Sequence, residues 1–365
     1  MFLTDYHVTE GVRGSRSARA GDSVDRSIDS KPAQQDSYRT LESLALHTPG
    51  SFPEPPYPLQ AVGNALRRGT EEFSVRLQRS IINRQFRACL GYVGDFDHPQ
   101  SFQEKIQFRK LYGNHAFYAS MADKFLVRDY VAKKVGSQHL IPLLGAYDYL
   151  QPSDFESLPQ QFIVKANHGC NWNQVVLDKD QLDVGKAARR FNRLCRRRFG
   201  WKRGERHYNF IRPKVVIEQL LRDDRGEPPW EYNFQCSHGP DGFDWYYTIL
   251  SPSDQDAWAI ISKDGRILAA AKVSDQELAA HARPAKFAQM VDVAEALSSD
   301  FDFVRVDLYC VHDQAWFGEM TCTPRAGYIK ATNQSLQQMR DAMWYLDAGN
   351  PRLYVPGNPM TRRIT

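Results

Sequence analysis

The chain has 365 residues, of which 42% are hydrophobic and 12% aromatic, so we expect a folded globular protein with two or three domains. Its 47 basic and 43 acidic residues are nearly balanced, which gives no argument for a nucleic-acid partner. No apolar run reaches the roughly 18 residues of a membrane span, the N-terminus lacks the apolar core of a secretory signal, and we expect a cytoplasmic protein without a transmembrane segment.

The first half of the chain is predicted to be an N-terminal arm followed by helices. Residues 1–60 are rich in Ser, Arg, Asp, Gly and Pro, which is typical of a flexible or extended segment. Helices are predicted over 67–91 with Thr70 as N-cap, over 101–114 with the capping-box pair Ser101 and Glu104, and over 122–136 up to Gly136. The segments HLIPLLGAYDY and QQFIVKANHG are predicted strands.

The second half combines strands with a few helices. A helix is predicted over 181–206, followed by the strand KVVIEQLL. The segments EYNFQCSHG, DWYYTILS and AWAIISKDGRILAAAKV predict an antiparallel meander, and FVRVDLYCVH with QAWFGEM predicts a hairpin. Further helices are expected over 284–299 and over 335–346. Helices segregated from antiparallel strands predict an α+β fold.

Charged residues interrupt several predicted buried strands. Lys165 lies in FIVKAN, Glu218 in VVIEQLL, Asp307 with Arg305 in FVRVDLY, and Glu319 in WFGEM. Any one of them alone is more often a core polar group whose hydrogen bonds are satisfied, or an edge residue. Four strands that each carry such a charge favour a shared cleft instead.

The predicted hairpin can place Asp307 and Glu319 side by side on one face. Two adjacent carboxylates repel each other unless a cation lies between them, and hard oxygen ligands suit Mg²⁺ together with substrate phosphates. The pair therefore predicts a magnesium site. The alternative is that the two acids lie on opposite faces of the sheet.

Lys165 stands at a strand end before the loop Asn167–Gly169, where a lysine can contact nucleotide phosphates and loop amides can cover them. Glu218 lies where another strand runs into a linker. The backbone of Gln219 to Leu221 could bind an adenine edge there, with Glu218 or a nearby acid (Asp223 or Asp224) for the amino group or the ribose.

The order of these motifs resembles a known family. Lys165 before NHG, then IEQLL, PPWEYNF, FVRVDLY and FGEMTCTP are similar to the ATP-grasp fold, and in particular to the TupA-like ATP-grasp proteins named after teichuronopeptide biosynthesis. The resemblance runs from about Asp97 to Gly327. It implies a nucleotide held between two α+β subdomains, preceded by a helical N-terminal region.

The resemblance also implies roles for individual residues. The nucleotide would be bound by Lys165 at the α- and β-phosphates, by the loop residues His168 and Gly169, and by an adenine hinge formed by Glu218, Gln219, Leu220 and Leu221. Mg²⁺ would be held by Asp307, Glu319 and Thr321, where Thr321 stands in place of the Asn of many relatives. Arg305 and Arg325 would face the acyl phosphate or the carboxylate substrate. Asn233 stands where many relatives carry Lys.

Two features, His168 and the arginines of one predicted helix, each allow two interpretations. His168 is as compatible with a structural role as with a place beside phosphates. The arginines of the predicted helix over 181–206 fit either a solvated basic face or a surface for an anionic glycan or a phospholipid-linked carrier.

The resulting hypothesis is an ATP- and Mg²⁺-dependent carboxylate–amine ligase that joins an amino acid to a uronic-acid or glycan carboxylate in surface polysaccharide biosynthesis. The alternatives are a ligase that joins amino acids or makes a small natural product, and a non-catalytic nucleotide- or glycan-binding module. The predicted divisions are the arm 1–60, a helical α+β region 61–160, the phosphate-loop and hinge subdomain 161–225, the metal-site subdomain 226–350, and the tail 351–365.

Overall fold

A computed structural model describes residues 75–254 and 256–362 of the chain. The predicted arm over residues 1–60 and the Thr70 N-cap lie outside this part. Within the described ranges, no helix is both long and apolar enough to cross a membrane.

The described chain alternates between helices and antiparallel strands. The helices are α1 over 75–90, α2 Phe102–Tyr112, α3 His115–Ala122, α4 Val127–Val135, α5 Val184–Cys195, α6 Asp275–His281, α7 Phe287–Ser298 and α8 Gln334–Met343. The strands are β1 Leu143–Tyr147, β2 Phe162–Ala166, β3 Asn173–Val176, β4 Val215–Gln219, β5 Glu231–Gly239, β6 Gly242–Leu250, β7 Trp258–Ser262, β8 Ile267–Ala271, β9 Phe303–Val311 and β10 Gln314–Thr321. Helices stand apart from antiparallel sheets, which confirms the predicted α+β fold.

A four-stranded antiparallel sheet has the order β1-β4-β2-β3. Alternate residues of its central strands are buried on one face, as expected for a sheet covered on one side: Phe162, Val164, Val215 and Ile217. Helix α5 covers that face with four buried residues at helical spacing: Ala187, Ala188, Phe191 and Leu194. The opposite face of the sheet carries Lys165 and Glu218.

A six-stranded antiparallel sheet has the order β10-β9-β5-β6-β7-β8. It contains the predicted meander and the predicted β9–β10 hairpin. Helix α7 packs on one face through residues spaced by three and four: Met290, Val293, Ala294 and Leu297. Burying each of the larger side chains contributes about 1.5–3 kcal/mol. This packing fixes which face of β9 and β10 remains open for polar residues.

Helix α2 is tied to the end of the hairpin by a buried arginine. Arg109 is 1% exposed and donates to Asp302 at 2.5 Å and to the carbonyl oxygens of Phe303 and Cys322 at 2.8 Å. Loss of one partner of such a buried pair costs about 3–5 kcal/mol. Arg109 therefore holds the start of β9 and the residue after β10 at a fixed position.

Several local predictions are confirmed, and others need correction. The Ser101–Glu104 capping box is present, and α4 ends before Gly136. The helix predicted over 181–206 ends at Cys195, because the positions that would continue its buried face are arginines 197 and 198. Helices α3 and α6 and strand β3 were not predicted: α3 is apolar almost throughout, α6 buries no residue, and β3 has four residues. Strand β1 joins the four-stranded sheet although it precedes the predicted boundary at residue 160, which remains a prediction.

Candidate active site

A β-bulge explains how Glu319 leaves the apolar face of β10. Residues i and i+2 of a strand normally share a face, so Glu319 would be buried with Phe317. The register with β9 shifts between these two residues, and Gly318 is the extra residue. Phe317 and Met320 both stay in the core, at 4% and 2% exposure, so Glu319 lies on the other face. A Cβ at position 318 would be 3.1 Å from the Asp307 carbonyl oxygen, which favours glycine there.

Asp307 and Glu319 are direct cross-strand partners, as the sequence predicts, and both contact Arg305. Arg305 Nε donates to Asp307 Oδ1 at 2.7 Å, and its Nη2 donates to Asp307 Oδ2 at 2.5 Å and to Glu319 Oε1 at 3.1 Å. Arg305 shares a face with Asp307 because the two are i and i+2 on β9. The guanidinium thus lies between the two carboxylates, while its predicted role toward a substrate remains a prediction. The Thr321 hydroxyl donates to Glu319 Oε1 at 3.1 Å.

A third carboxylate, for which the sequence predicted no role, belongs to the same cluster. Glu231 begins β5, the neighbour of β9, and accepts a 2.7 Å hydrogen bond from Asn233, whose cross-strand partner is Asp307. Burial raises the pKa of Glu231, although Arg305 opposes the rise. The sequence signal that could have identified Glu231 is an acid at the first position of a buried strand.

Burial and mutual repulsion act on the pKa values of the carboxylates in this cluster. Burial raises the pKa of Asp307 well above its ordinary value, and Glu231 and Glu319 add to the rise against the effect of Arg305. The pKa of Glu319 is lowered to about 2, because the attraction of Lys124 and Arg305 for its carboxylate outweighs the opposite effect of burial. A cation bound beside Asp307 would favour the ionised carboxylate and so oppose the rise in its pKa.

The donor set fits Mg²⁺. Carboxylate and hydroxyl oxygens are hard ligands, and Mg²⁺ commonly takes one or two carboxylates and completes its shell with water and substrate phosphates. Across residues 75–254 and 256–362, no three His, Cys, Asp or Glu side chains meet in metal-ligand geometry, so a site built on Asp307 and Glu319 would depend on such additional oxygens.

Lys165 and Glu218 meet on the open face of the four-stranded sheet. Lys165 Nζ donates to Glu218 Oε2 at 2.7 Å, and Arg128 donates to Glu218 Oε1, also at 2.7 Å. The Glu218 side chain is only 8% exposed. Both of its oxygens are engaged, so in this arrangement Glu218 holds the two cations in place. Its predicted contact with an adenine or ribose remains a prediction.

Lys124, between α3 and α4, connects the two sheets. Its Nζ donates to the Gly169 carbonyl oxygen at 3.0 Å and lies 3.4 Å from Glu319 Oε2. Gly169 follows β2 of the smaller sheet, whereas Glu319 belongs to β10 of the larger one. Lys124 thus brings the loop after β2 close to the acidic pair on β10, while the shared cleft that the four charged strands predict remains a prediction.

The loop after β2 is fixed by contacts inside the protein. His168 is 2% exposed, its Nδ1 lies 3.2 Å from Asn167 Oδ1, and its Nε2 lies 3.1 Å from the Arg197 carbonyl oxygen. Burial lowers the pKa of His168. These contacts favour the structural alternative for His168. A Cβ on Gly169 would be 2.6 Å from the Trp172 ring, so this loop position requires glycine.

The predicted hinge follows β4 as an extended segment. The backbone groups of Leu220 and Leu221 make no hydrogen bond to any residue of the described chain, whereas the Gln219 amide donates to Pro142. Unpaired amide and carbonyl groups at a cleft edge are those that an adenine edge would need. The hinge assignment remains a prediction that this geometry permits.

Arg325 lies in a loop with an uncommon backbone. Arg325, Ala326 and Gly327 have φ values of 51°, 54° and 70°, all in the left-handed region. The Arg325 side chain has no hydrogen bond or ion pair within the described ranges. Partial enclosure and repulsion by Arg305 lower its pKa. The loop therefore presents an unpaired guanidinium near the carboxylate cluster, and strained backbone of this kind is common at functional sites.

Comparisons with known proteins identify a family for most of the chain. The family model described as TupA-like ATPgrasp matches residues 104–342. No curated protein sequence matches the chain.

Solved structures with a similar fold include ligases and a carboxylase. A D-alanine–D-alanine ligase from Helicobacter pylori is 17% identical with a TM-score of 0.37, over 62% of this chain and 61% of that one. The corresponding ligase from Bacillus anthracis is 14% identical with a TM-score of 0.37, over 67% and 71%. A biotin carboxylase from Campylobacter jejuni is 11% identical with a TM-score of 0.38, over 67% and 50%. The chain thus spans less than two thirds of the H. pylori and C. jejuni proteins.

Proposed function

Because this chain belongs to the TupA-like ATP-grasp family, we propose that it is an ATP-dependent carboxylate–amine ligase. The observation that carries the proposal is the bulged hairpin that brings Asp307, Glu319 and Arg305 together, with Lys124 between Glu319 and the loop after Lys165. The fold is the α+β ATP-grasp fold, and the cleft lies between its two sheets.

Different residues of the proposed site would bind the phosphates, the adenine and the Mg²⁺ of the nucleotide complex. Lys165 would contact the α- and β-phosphates of ATP, and the backbone of Gln219, Leu220 and Leu221 would bind the adenine. Asp307 and Glu319, with the Thr321 hydroxyl beside them, would hold Mg²⁺. When bound, this ion would neutralise the charge that develops on the transferring phosphoryl group. The subdomains 161–225 and 226–350 would then close on the nucleotide from two sides.

The proposed reaction has two steps. A substrate carboxylate oxygen attacks the γ-phosphorus of ATP, the bond to the β–γ bridging oxygen breaks, and ADP leaves. An amine then attacks the carbonyl carbon of the acyl phosphate, inorganic phosphate leaves, and the nitrogen loses a proton as the amide forms. Both steps depend on positioning and on neutralising oxyanions. Arg325 is suited to that task because its guanidinium has no partner in the described chain.

For the substrates, we propose an amino acid as the amine and a uronic-acid carboxylate of a surface polysaccharide as the acid, used in the cytoplasm where ATP is present. Support comes from the unpaired Arg325, which suits a carboxylate, and from the family resemblance. A ligase that joins two amino acids is the first alternative. A non-catalytic nucleotide-binding module is the second, and the position of Arg305 between the two carboxylates is the observation in its favour.

A coupled assay for ADP release would separate these possibilities. Uronic acids are screened against the proteinogenic amino acids, with Asp307→Asn and Glu319→Gln as site variants and Asp244→Asn, an exposed acid on β6, as matched control. We expect ADP and phosphate release only when an acid and an amine are both present, with the site variants reduced at least about 100-fold. ADP release with amino acids alone identifies the first alternative. ATP binding without ADP release under every substrate pair identifies the second.

A further inference from the structure

The segment over residues 184–204, here called the basic segment, has an extreme charge composition. It contains nine lysines and arginines and no aspartate or glutamate: Lys186, Arg189, Arg190, Arg193, Arg196, Arg197, Arg198, Lys202 and Arg203. The whole chain has a formal charge of only +4. Positive charge is therefore concentrated on one element, and this element lies outside the carboxylate cluster of the candidate active site.

The basic segment directs its charges to solvent. All of its lysines and arginines are exposed except Arg190, which is partly buried and donates to Gln174 and to the Asn173 carbonyl oxygen. Lys186, Arg189 and Arg193 are spaced as residues on one face of α5, opposite its buried apolar face. In the part of the chain that the structure describes, no ion pair to a carboxylate engages any of the nine. This positive field is thus available to an external partner.

An exposed tryptophan adjoins these charges on a firmly held turn. Trp201 is 50% exposed. Two turn residues after Trp201 are anchored through their backbone: the carbonyl oxygens of Lys202 and Gly204 accept hydrogen bonds from Gln85 at 2.7 Å and Gln78 at 2.8 Å of α1. The exposure of Trp201 is therefore built into the fold and does not come from a loose loop.

We propose that the basic segment is a docking surface for an anionic membrane. Clusters of four to eight or so basic residues are attracted to the negative potential of acidic phospholipids. Tryptophan is enriched at the membrane–water interface, where its ring lies at the headgroup level. Proteins that bind single-stranded nucleic acid present several stacking aromatics along a groove, whereas here one tryptophan adjoins an exposed helix face. The charges and the indole together fit a phospholipid surface best.

Docking through the basic segment would orient the catalytic cleft. His168 Nε2 lies 3.1 Å from the carbonyl oxygen of Arg197, and the next residue, Gly169, is hydrogen-bonded to Lys124 at the cleft. The basic segment and the loop after β2 are thus in direct contact. Membrane binding would bring the cleft close to the lipid headgroups, where an acceptor carried on a lipid could enter. The docking surface itself does not depend on the proposed ligase activity.

Vesicle sedimentation of the full chain tests this inference. The probes are vesicles of phosphatidylcholine alone and vesicles with one third phosphatidylglycerol, at low and high salt. We expect binding to the anionic vesicles only, and weaker binding at high salt. Each removed charge should weaken binding about fivefold, so the triple variant Arg189→Ala, Arg193→Ala, Arg196→Ala should lose about 100-fold. Trp201→Ala should cause a further several-fold loss at either salt concentration.

Matched controls remove three positive charges and one exposed aromatic ring elsewhere. Lys133→Ala, Lys263→Ala, Arg266→Ala removes three exposed charges from other elements, and Tyr149→Ala removes an aromatic ring that is 63% exposed. Both controls should bind like the parent, and thermal denaturation should show that all variants are folded. Equal binding to neutral vesicles, no binding to anionic vesicles, or equal losses in the triple variant and its control would overturn the proposal. Tighter binding of a single-stranded oligonucleotide than of anionic vesicles would reassign the surface to a polyanion.

Discussion

Replacing Arg305 with methionine should make the stability of the protein depend on Mg²⁺. Arg305 is the cation between Asp307 and Glu319, and the side chains of Arg305 and Asp307 are 16% and 2% exposed. Methionine keeps much of the length and the apolar stem of arginine but leaves the carboxylates without this counter-charge. If these two carboxylates are the metal pair, the variant should accept Mg²⁺ without competition from a guanidinium.

The expected magnitudes follow from the contacts. Loss of one partner from a buried ion pair costs about 3–5 kcal/mol. We expect the lower end, about 3 kcal/mol, because burial already raises the pKa of Asp307 and the carboxyl group can take up a proton instead. Mg²⁺ at 100 times its Kd should then restore about 2.7 kcal/mol. The parent should gain less, because there Mg²⁺ must displace Arg305.

Thermal denaturation with Mg²⁺ or with EDTA measures both effects. We expect the variant to melt well below the parent in EDTA and to recover most of the difference in Mg²⁺. The double variant Arg305→Met, Asp307→Asn is the control, and it should show no such recovery. If Mg²⁺ stabilises the parent, the single variant and the double variant equally, Asp307 and Glu319 are not the metal pair.

Three further predictions concern the loops and helices around the cleft. Arg325→Ala should raise the KM for the acid substrate about 10- to 100-fold and leave that for ATP unchanged in steady-state ADP-release assays, because it removes a charged hydrogen-bond donor; equal rises in both constants would refute this role. Gly327→Ala should destabilise the protein by more than about 1 kcal/mol in urea denaturation, because φ is +70° and a Cβ would lie 2.9 Å from Ile106 Cβ of α2, whereas Gly226→Ala, with φ +78° and open space, should cost less. The hydrogen bond from Arg79 lowers the pKa of Asp97 below its ordinary 3.8. The ionised Asp97 therefore stabilises the fold above pH 3.8, and this stabilisation is lost as the pH falls through the lowered pKa. In urea denaturation at a series of acidic pH values, Asp97→Asn should weaken the fall of the unfolding free energy with decreasing pH, and an unchanged fall would contradict the assignment.

The fold was predictable wherever local chemistry and tertiary packing agree. The capping box at Ser101 and the glycine stop at Gly136 are local signals, and both mark helix ends in the structure. The meander and the hairpin follow from alternating apolar residues between turns. Helix α3 has no polar face to produce a helical period, so its sequence does not distinguish it from a buried strand. Strand β3 exists because it pairs with β2, and no pattern within its four residues predicts that pairing.

The candidate site was predictable where a charge interrupts an apolar strand. This signal identified Lys165 and Glu218, which form an ion pair in the structure, and Asp307 and Glu319, which are cross-strand partners. It could not identify Lys124 and Arg128, because a charged residue at a helix end or on a helix is ordinary. Their importance arises from which strands they reach across the cleft, and that is a property of the tertiary fold.

The bulge at Gly318 also indicates from which side the carboxylate pair would be approached. The Glu319 side chain is 35% exposed, against 2% for Asp307, and its bond to Arg305 is the longest of the three that this guanidinium makes to the pair. An incoming cation would therefore displace Arg305 from Glu319 before it reaches Asp307. If Gly318 held a regular ladder position instead of forming a bulge, Glu319 would share the face of Phe317 and point into the core. The bulge thus keeps Glu319 beside Asp307 on the open side of the sheet.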